Sequence, residues 1–96
     1  MNPFHQLDKL LDSRVRLAVM SMLVTTDWIE FNTFKDELGL SDGNLASHLR
    51  KLETAKYAEV RKAFVGRKTQ TSYRATELGR AAFARHVEAL AKLLKT

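Results

Sequence analysis

Ser41, Asn44, Ser47 and Arg50 recur at three-residue intervals, with Lys51 following directly. If residues 41–55 are helical, Leu45, Leu49 and Leu52 form the apolar stripe and must face inward. The outer face then carries Asp42, Gly43, Asn44, Ala46, Ser47, Arg50 and Lys51. Its first half is small and hydrogen-bonding, which lets a helix enter a groove about 12 Å wide without steric conflict. Asn44 and Ser47 suit base edges, Arg50 a guanine or a phosphate, and Lys51 a phosphate. A second cationic point lies at Gly66-Arg67-Lys68, where two cations follow a flexible glycine. Such a tip lies along a phosphate backbone or reaches into a narrow minor groove.

Other chemistry finds little support. The chain has no cysteine, so disulfides and thiolate metal sites are excluded. His5, His48 and His86 lie far apart without an i,i+4 partner, so no metal site is expected, and His48 reads as a packing or backbone-bonding group. No phosphate loop or nucleophile motif is present, which leaves no catalytic residue and no cofactor to expect. Trp28 reads as a lid on the core, while Tyr57, Phe64 and Tyr73 read as hairpin packing rather than a stacking platform. The first residues lack a signal peptide's basic start and apolar run, and no apolar stretch approaches the roughly 20 residues that span a membrane. The expected compartment is the cytoplasm, with no membrane partner.

The elements that must position these residues follow from periodicity. Ninety-six residues fit a single domain. Asn2 and Pro3 open a short amphipathic helix carrying Phe4, Leu7, Leu10 and Leu11, and Asp12-Ser13 caps a second with Val15, Ala18, Val19, Met22 and Leu23 on one face. Trp28-Ile29 suits a short strand. Residues 31–38 form a third helix stopped by Gly39, and Ser41 opens the fourth, so two short helices meet at a tight turn. The period then changes to two. Residues 58–64 and 71–74 read as strands of a hairpin around a polar turn at 65–70. Thr76 caps a last helix with Phe83, Val87, Leu90 and Leu94 on one stripe. The predicted class is mainly α with a small β-hairpin (α+β): a winged helix-turn-helix over 13–75, with terminal helices at 1–12 and 76–96. Charge gathers in the same place. Residues 41–75 carry eight basic against three acidic residues, a net +5, whereas residues 1–40 carry four against six. A localised cationic region implies a polyanionic partner.

The stretch from Phe31-x-x-Phe34-Lys35 through Leu38-Gly39-Leu40-Ser41-Asp42-Gly43-Asn44-Leu45-Ala46-Ser47-His48-Leu49 to Leu52-Glu53 resembles the core of small winged-helix regulators related to the MarR and ArsR groups. Val60, Phe64, Gly66-Arg67-Lys68, Thr71, Tyr73, Thr76 and Gly79-Arg80 resemble the wing and following helix of the same group. The likeness covers about residues 14–86. It implies a homodimeric double-stranded DNA-binding transcription regulator, with residues 41–50 as recognition helix and Arg67 and Lys68 as wing contacts. The chain departs from the pattern at Lys56, where relatives often carry glycine; a side chain forced to positive φ there costs about 1 kcal/mol. A second departure is Thr69, near which relatives often carry proline. The two terminal apolar stripes exceed what one winged-helix core covers. Phe4, Leu7, Leu11, Phe83, Val87, Leu90 and Leu94 are therefore expected at a homodimer interface. A repressor acting on an inverted-repeat operator is the leading expectation, and a winged-helix protein-interaction module in a larger assembly the alternative. The sequence names no effector.

Overall fold

The first turn of the chain is decided by hydrogen bonds rather than by hydropathy. In the computed structural model, which describes residues 2–95, the expected N-terminal helix is instead two 3-10 turns, Pro3–Gln6 and Lys9–Leu11. Met1 and Thr96, the end residues of the predicted domain and its terminal helices, lie outside the described residues. Asn2 caps the first turn as its type predicts. Leu7 then extends, and the Asp8 N–H donates to His86 Nδ1 at 3.0 Å. An amide committed to a distant imidazole cannot close the next helical bond, so the helix breaks there. The Asp8 carboxylate caps the second turn and accepts the Tyr57 hydroxyl at 2.5 Å. The segment is an arm strapped across the last helix.

Ser13 caps α1 (Arg14–Val24), whose buried residues are Val19, Met20 and Leu23. The predicted stripe omitted Met20. It is buried because α1 packs against α3 on one side and a strand on the other, so a single narrow stripe does not describe it. After β1 (Ile29–Glu30) comes α2 (Phe31–Leu38), which ends at Gly39 in the left-handed region, φ 63°. Two residues later Ser41 caps α3 (Asp42–Thr54) through the Asn44 N–H, at 3.3 Å. Leu45, Leu49 and Leu52 are fully buried beneath it. Each such leucine contributes roughly 1.5–3 kcal/mol, enough to fix which face looks outward. At the exit of α3, Lys56 takes φ 63°, the one described non-glycine residue at positive φ. The expected strain therefore falls on the residue that departs from the family pattern.

The sheet is antiparallel in the order β1-β3-β2, so β1 adds a third strand to the predicted hairpin, with Ile29 opposite Tyr73. β2 (Ala58–Val65) and β3 (Lys68–Ala75) pair without interruption from Ala58 opposite Ala75 to Val65 opposite Lys68. The predicted 65–70 turn thus shrinks to Gly66 and Arg67. Glycine at φ 65° in the first loop position permits a two-residue closure, and Lys68, Thr69 and Gln70 are left to pair as strand.

Thr76 caps α4 (Glu77–Leu94) by accepting the Gly79 N–H, and its own hydroxyl donates to the Lys56 carbonyl at 2.6 Å. A side chain at position 79 would overlap the Tyr57 backbone, so only glycine lets α4 lie this close to the exit of α3. Close approach also decides which face of α4 turns inward: Gly79, Ala82, His86 and Ala89 are buried. The predicted stripe is rotated outward. Phe83 and Leu90 are half-buried, Val87 is exposed, and Leu94 is 87% exposed. Leu11, grouped with these residues by spacing, is enclosed in the chain's own core at 1% exposure and offers a partner no surface.

Candidate nucleic-acid interface

The outward face of α3 follows from its buried one. Ser41, Asn44, Ser47, Arg50 and Lys51 are all exposed. Ser47, Arg50 and Lys51 are brought together with Thr54, Ala55 and Leu10 around a groove of 460 Å³, so the arm borders the outer face of α3. Ser41 uses its side chain as the helix cap, which leaves Asn44 and Ser47 as the free hydrogen-bonding groups of the first turns. Asp42 would place a negative charge among them. It is paired to Lys35 Nζ at 2.8 Å, and that bond raises the Lys35 pKa.

Arg16 of α1 ties the arm and the flank of α3 together. Arg16 donates from Nε to the Leu10 carbonyl at 2.6 Å, and its NH1 lies 2.9 Å from His48 Nδ1. A guanidinium only donates, so His48 accepts on Nδ1 and carries its proton on Nε2. Burial, reinforced by the charges of Arg16 and Lys51, holds the imidazole below the usual histidine range. His48 was expected to pack or to bond backbone; its partner is instead a side chain on α1. Burial and the nearby Glu53 carboxylate likewise raise the Tyr73 hydroxyl.

Arg67 occupies the hairpin turn and Lys68 the first position of β3, both exposed. They do not join α3 in one cluster: Lys68 lines a hollow with Glu30, Phe31 and Asn32 at the start of α2. Among the described residues, Arg50, Lys51, Arg67 and Lys68 make no ion pair with the chain's own carboxylates. All four cations remain available to a polyanion.

Several residues here differ from their sequence reading or had none. Trp28 is no core lid: it lies half-buried on the outer sheet face, with the Arg61 and Arg74 guanidinium groups 4.1 and 4.6 Å from its ring. Arg74 is held in place by Glu59, which accepts from its Nε at 2.7 Å. The alternation of Arg61 and Arg74 with residues of the opposite face was the available signal, once β1 was known to pair with β3. Phe64, expected to pack within the hairpin, is 81% exposed, and Val65, expected in the polar turn, ends β2 at 58% exposure.

A profile of the winged helix DNA-binding domain matches residues 15–94. The chain belongs to that family. It is 34% identical over 87 residues to an uncharacterized protein of Methanocaldococcus jannaschii, a match covering 91% of this chain and 95% of the relative. The transcriptional regulator homologue of Pyrococcus horikoshii superposes with a TM-score of 0.85 at 27% identity, over 92% of this chain and 87% of that one. A transcriptional regulator of Porphyromonas gingivalis assigned to the MarR family shares the fold, with a TM-score of 0.70 at 16% identity over 88% and 80% of the two chains. The architecture is thus the winged-helix fold that these regulators share. No described helix is long and apolar enough to cross a membrane.

Proposed function

We propose that this winged-helix domain is a sequence-specific, double-stranded DNA-binding transcription regulator of the cytoplasm, acting as a repressor and not as an enzyme. One observation carries the reading: the exposed face of α3 bears Asn44, Ser47, Arg50 and Lys51 and little bulk, over a fully buried leucine stripe. In this reading α3 lies in the major groove. Asn44, Ser47 and Arg50 touch base edges, Ser41 and Lys51 lie against the backbone, and Arg67 and Lys68 hold flanking phosphates. Leu94, Val87, Phe4 and the half-buried Leu7, Phe83 and Leu90 form an apolar border along the arm and α4. It supports a two-fold homodimer joined through the terminal segments, in which Leu11 stays within each protomer. Two recognition helices about 34–36 Å apart then require an inverted-repeat operator.

Selection of bound sequences from a random duplex pool tests this directly. An inverted repeat with conserved half-site positions is the expected product, and affinity falls with salt at about 0.9 log units per phosphate contact. Recovery of no motif, with binding to any duplex alike, removes sequence specificity from the reading.

A further inference from the structure

The hairpin from Val60 to its return at Ala75 carries Arg61, Lys62, Arg67, Lys68 and Arg74 and no carboxylate. The buried residues of its two strands, Ala58 at the start of β2 and Ser72, Tyr73 and Ala75 on β3, all lie at the base. A strand rises about 3.4 Å per residue, so Phe64 stands roughly 14 Å beyond Val60, well clear of the core. There its ring has Thr69 as cross-strand partner, and four fifths of it remains in water. Val65, on the opposite face, is also more than half exposed beside Lys68. Single exposed apolar residues are ordinary on a protein surface. This one differs in its setting, because an aromatic ring and a valine crown a ribbon whose outer part carries Lys62, Arg67 and Lys68 and no carboxylate. The ribbon's one acidic residue, Glu59, lies at the base paired to Arg74. The polyanion that suits such a ribbon, and also offers an apolar surface between its charged rails, is duplex DNA seen from the minor groove.

We propose that Phe64 is a wedge that presses between two base pairs from the minor-groove side, partly unstacks them and bends the duplex. Arg67 and Lys68 neutralise the phosphates on either side, and Lys62, on the ring's own face, holds the nearer rail. The wedge adds a specificity that hydrogen bonds do not supply, because unstacking is least costly at flexible pyrimidine–purine steps such as TA. The inference rests on the DNA-binding reading and goes beyond it.

The test uses the full chain on a 30-base-pair A·T-rich duplex carrying TA steps. Potassium permanganate oxidises unstacked thymines, and energy transfer between end labels reports bending. Wild type should raise thymine reactivity at one or two steps and shorten the end-to-end distance. Phe64→Ala should abolish both and weaken binding roughly fivefold or more, the lower end of one base–aromatic contact, while leaving the salt slope unchanged. Phe64→Leu should retain much of the reactivity, because leucine also serves as a wedge. Arg67→Ala/Lys68→Ala should lower the salt slope by about 1.8. Wild-type binding with no thymine reactivity and no bend overturns the wedge and leaves the DNA-binding reading standing. Failure of wild type to bind any duplex overturns that reading itself. Binding to phosphatidylserine vesicles that Phe64→Ala removes, with DNA affinity unchanged, assigns the ring to a membrane surface and overturns the proposal. A lowered oligomeric mass in Phe64→Ala assigns it to a protein contact and overturns the proposal equally.

Discussion

Helices α3 and α4 are built alike and finished differently. Each is capped by a hydroxyl, Ser41 or Thr76, and each buries one face: three leucines under α3, glycine, alanines and His86 under α4. Their outer faces diverge. That of α3 is polar and cationic, whereas α4 leaves Leu78, Val87 and Leu94 in water. Burial explains why both are helices. The exposed face, which folding does not require, is where the proposed partners differ: nucleic acid for one, a second copy's apolar surface for the other.

The strongest way to break that contrast is to charge the face of α4. Leu94→Glu costs the isolated chain little, since the side chain is already in water, yet in the proposed homodimer it removes one leucine from each side of the two-fold contact. The expected loss is about 3–6 kcal/mol of dimer stability. Light scattering should move from twice 10.9 kDa towards 10.9 kDa, whereas Lys92→Glu should leave the mass unchanged. A wild-type mass of one chain at micromolar concentration, with DNA binding intact, removes α4 from assembly.

The matching change on α3 is Arg50→Ala. It should weaken operator binding by about 1–3 kcal/mol and relax one position in each half-site without altering the oligomeric mass. An identical selected motif would show that the outer face of α3 is misread.

Much of this was open to reading from the residues. The leucine stripe, the Ser41 cap and the Gly39 stop are local signals, and they placed α3 and its exposed residues correctly. What escaped was set by contacts distant in sequence. The arm was expected to be helical because Phe4, Leu7, Leu10 and Leu11 have helical spacing, and no local pattern reveals that His86 takes the Asp8 amide. The α4 stripe was drawn through the largest residues, but Gly79 against the Tyr57 backbone turns a small-residue face inward instead. The exposure of Phe64 depends on where the core ends under the hairpin, and alternation along a strand does not encode that.

A smaller effect concerns the junction between the two helices. Lys56→Gly removes the one described non-glycine left-handed residue and should stabilise the fold by about 1 kcal/mol. For a chain of this size that raises Tm by roughly 4–8 °C. Calorimetry checks it, and DNA affinity should be unchanged because Lys56 lies beyond the outer face of α3.

The smallest effect concerns the histidine of α3. The folded-state pKa of His48 is depressed, chiefly by burial, so its contribution is fully present above the unfolded value of about 6.5. That contribution is lost as pH falls through the folded value, when Nδ1 gains a proton and can no longer accept from Arg16. Urea titrations between pH 7.5 and 5 should show stability declining with acid, and His48→Asn should flatten part of that slope. An unchanged slope would place the acid sensitivity elsewhere.

Trp28 has a practical consequence. It is the chain's only tryptophan, and its ring sits beside Arg61 of the hairpin stem and Arg74 of the central strand. A cation held over an indole perturbs its emission, and phosphate is a stronger partner for arginine than a ring is. Should the hairpin seat on a duplex as proposed and draw Arg61 off the indole, the fluorescence is expected to change without any attached dye. Trp28 would then serve as an intrinsic optical gauge of wing engagement, separate from the events at α3.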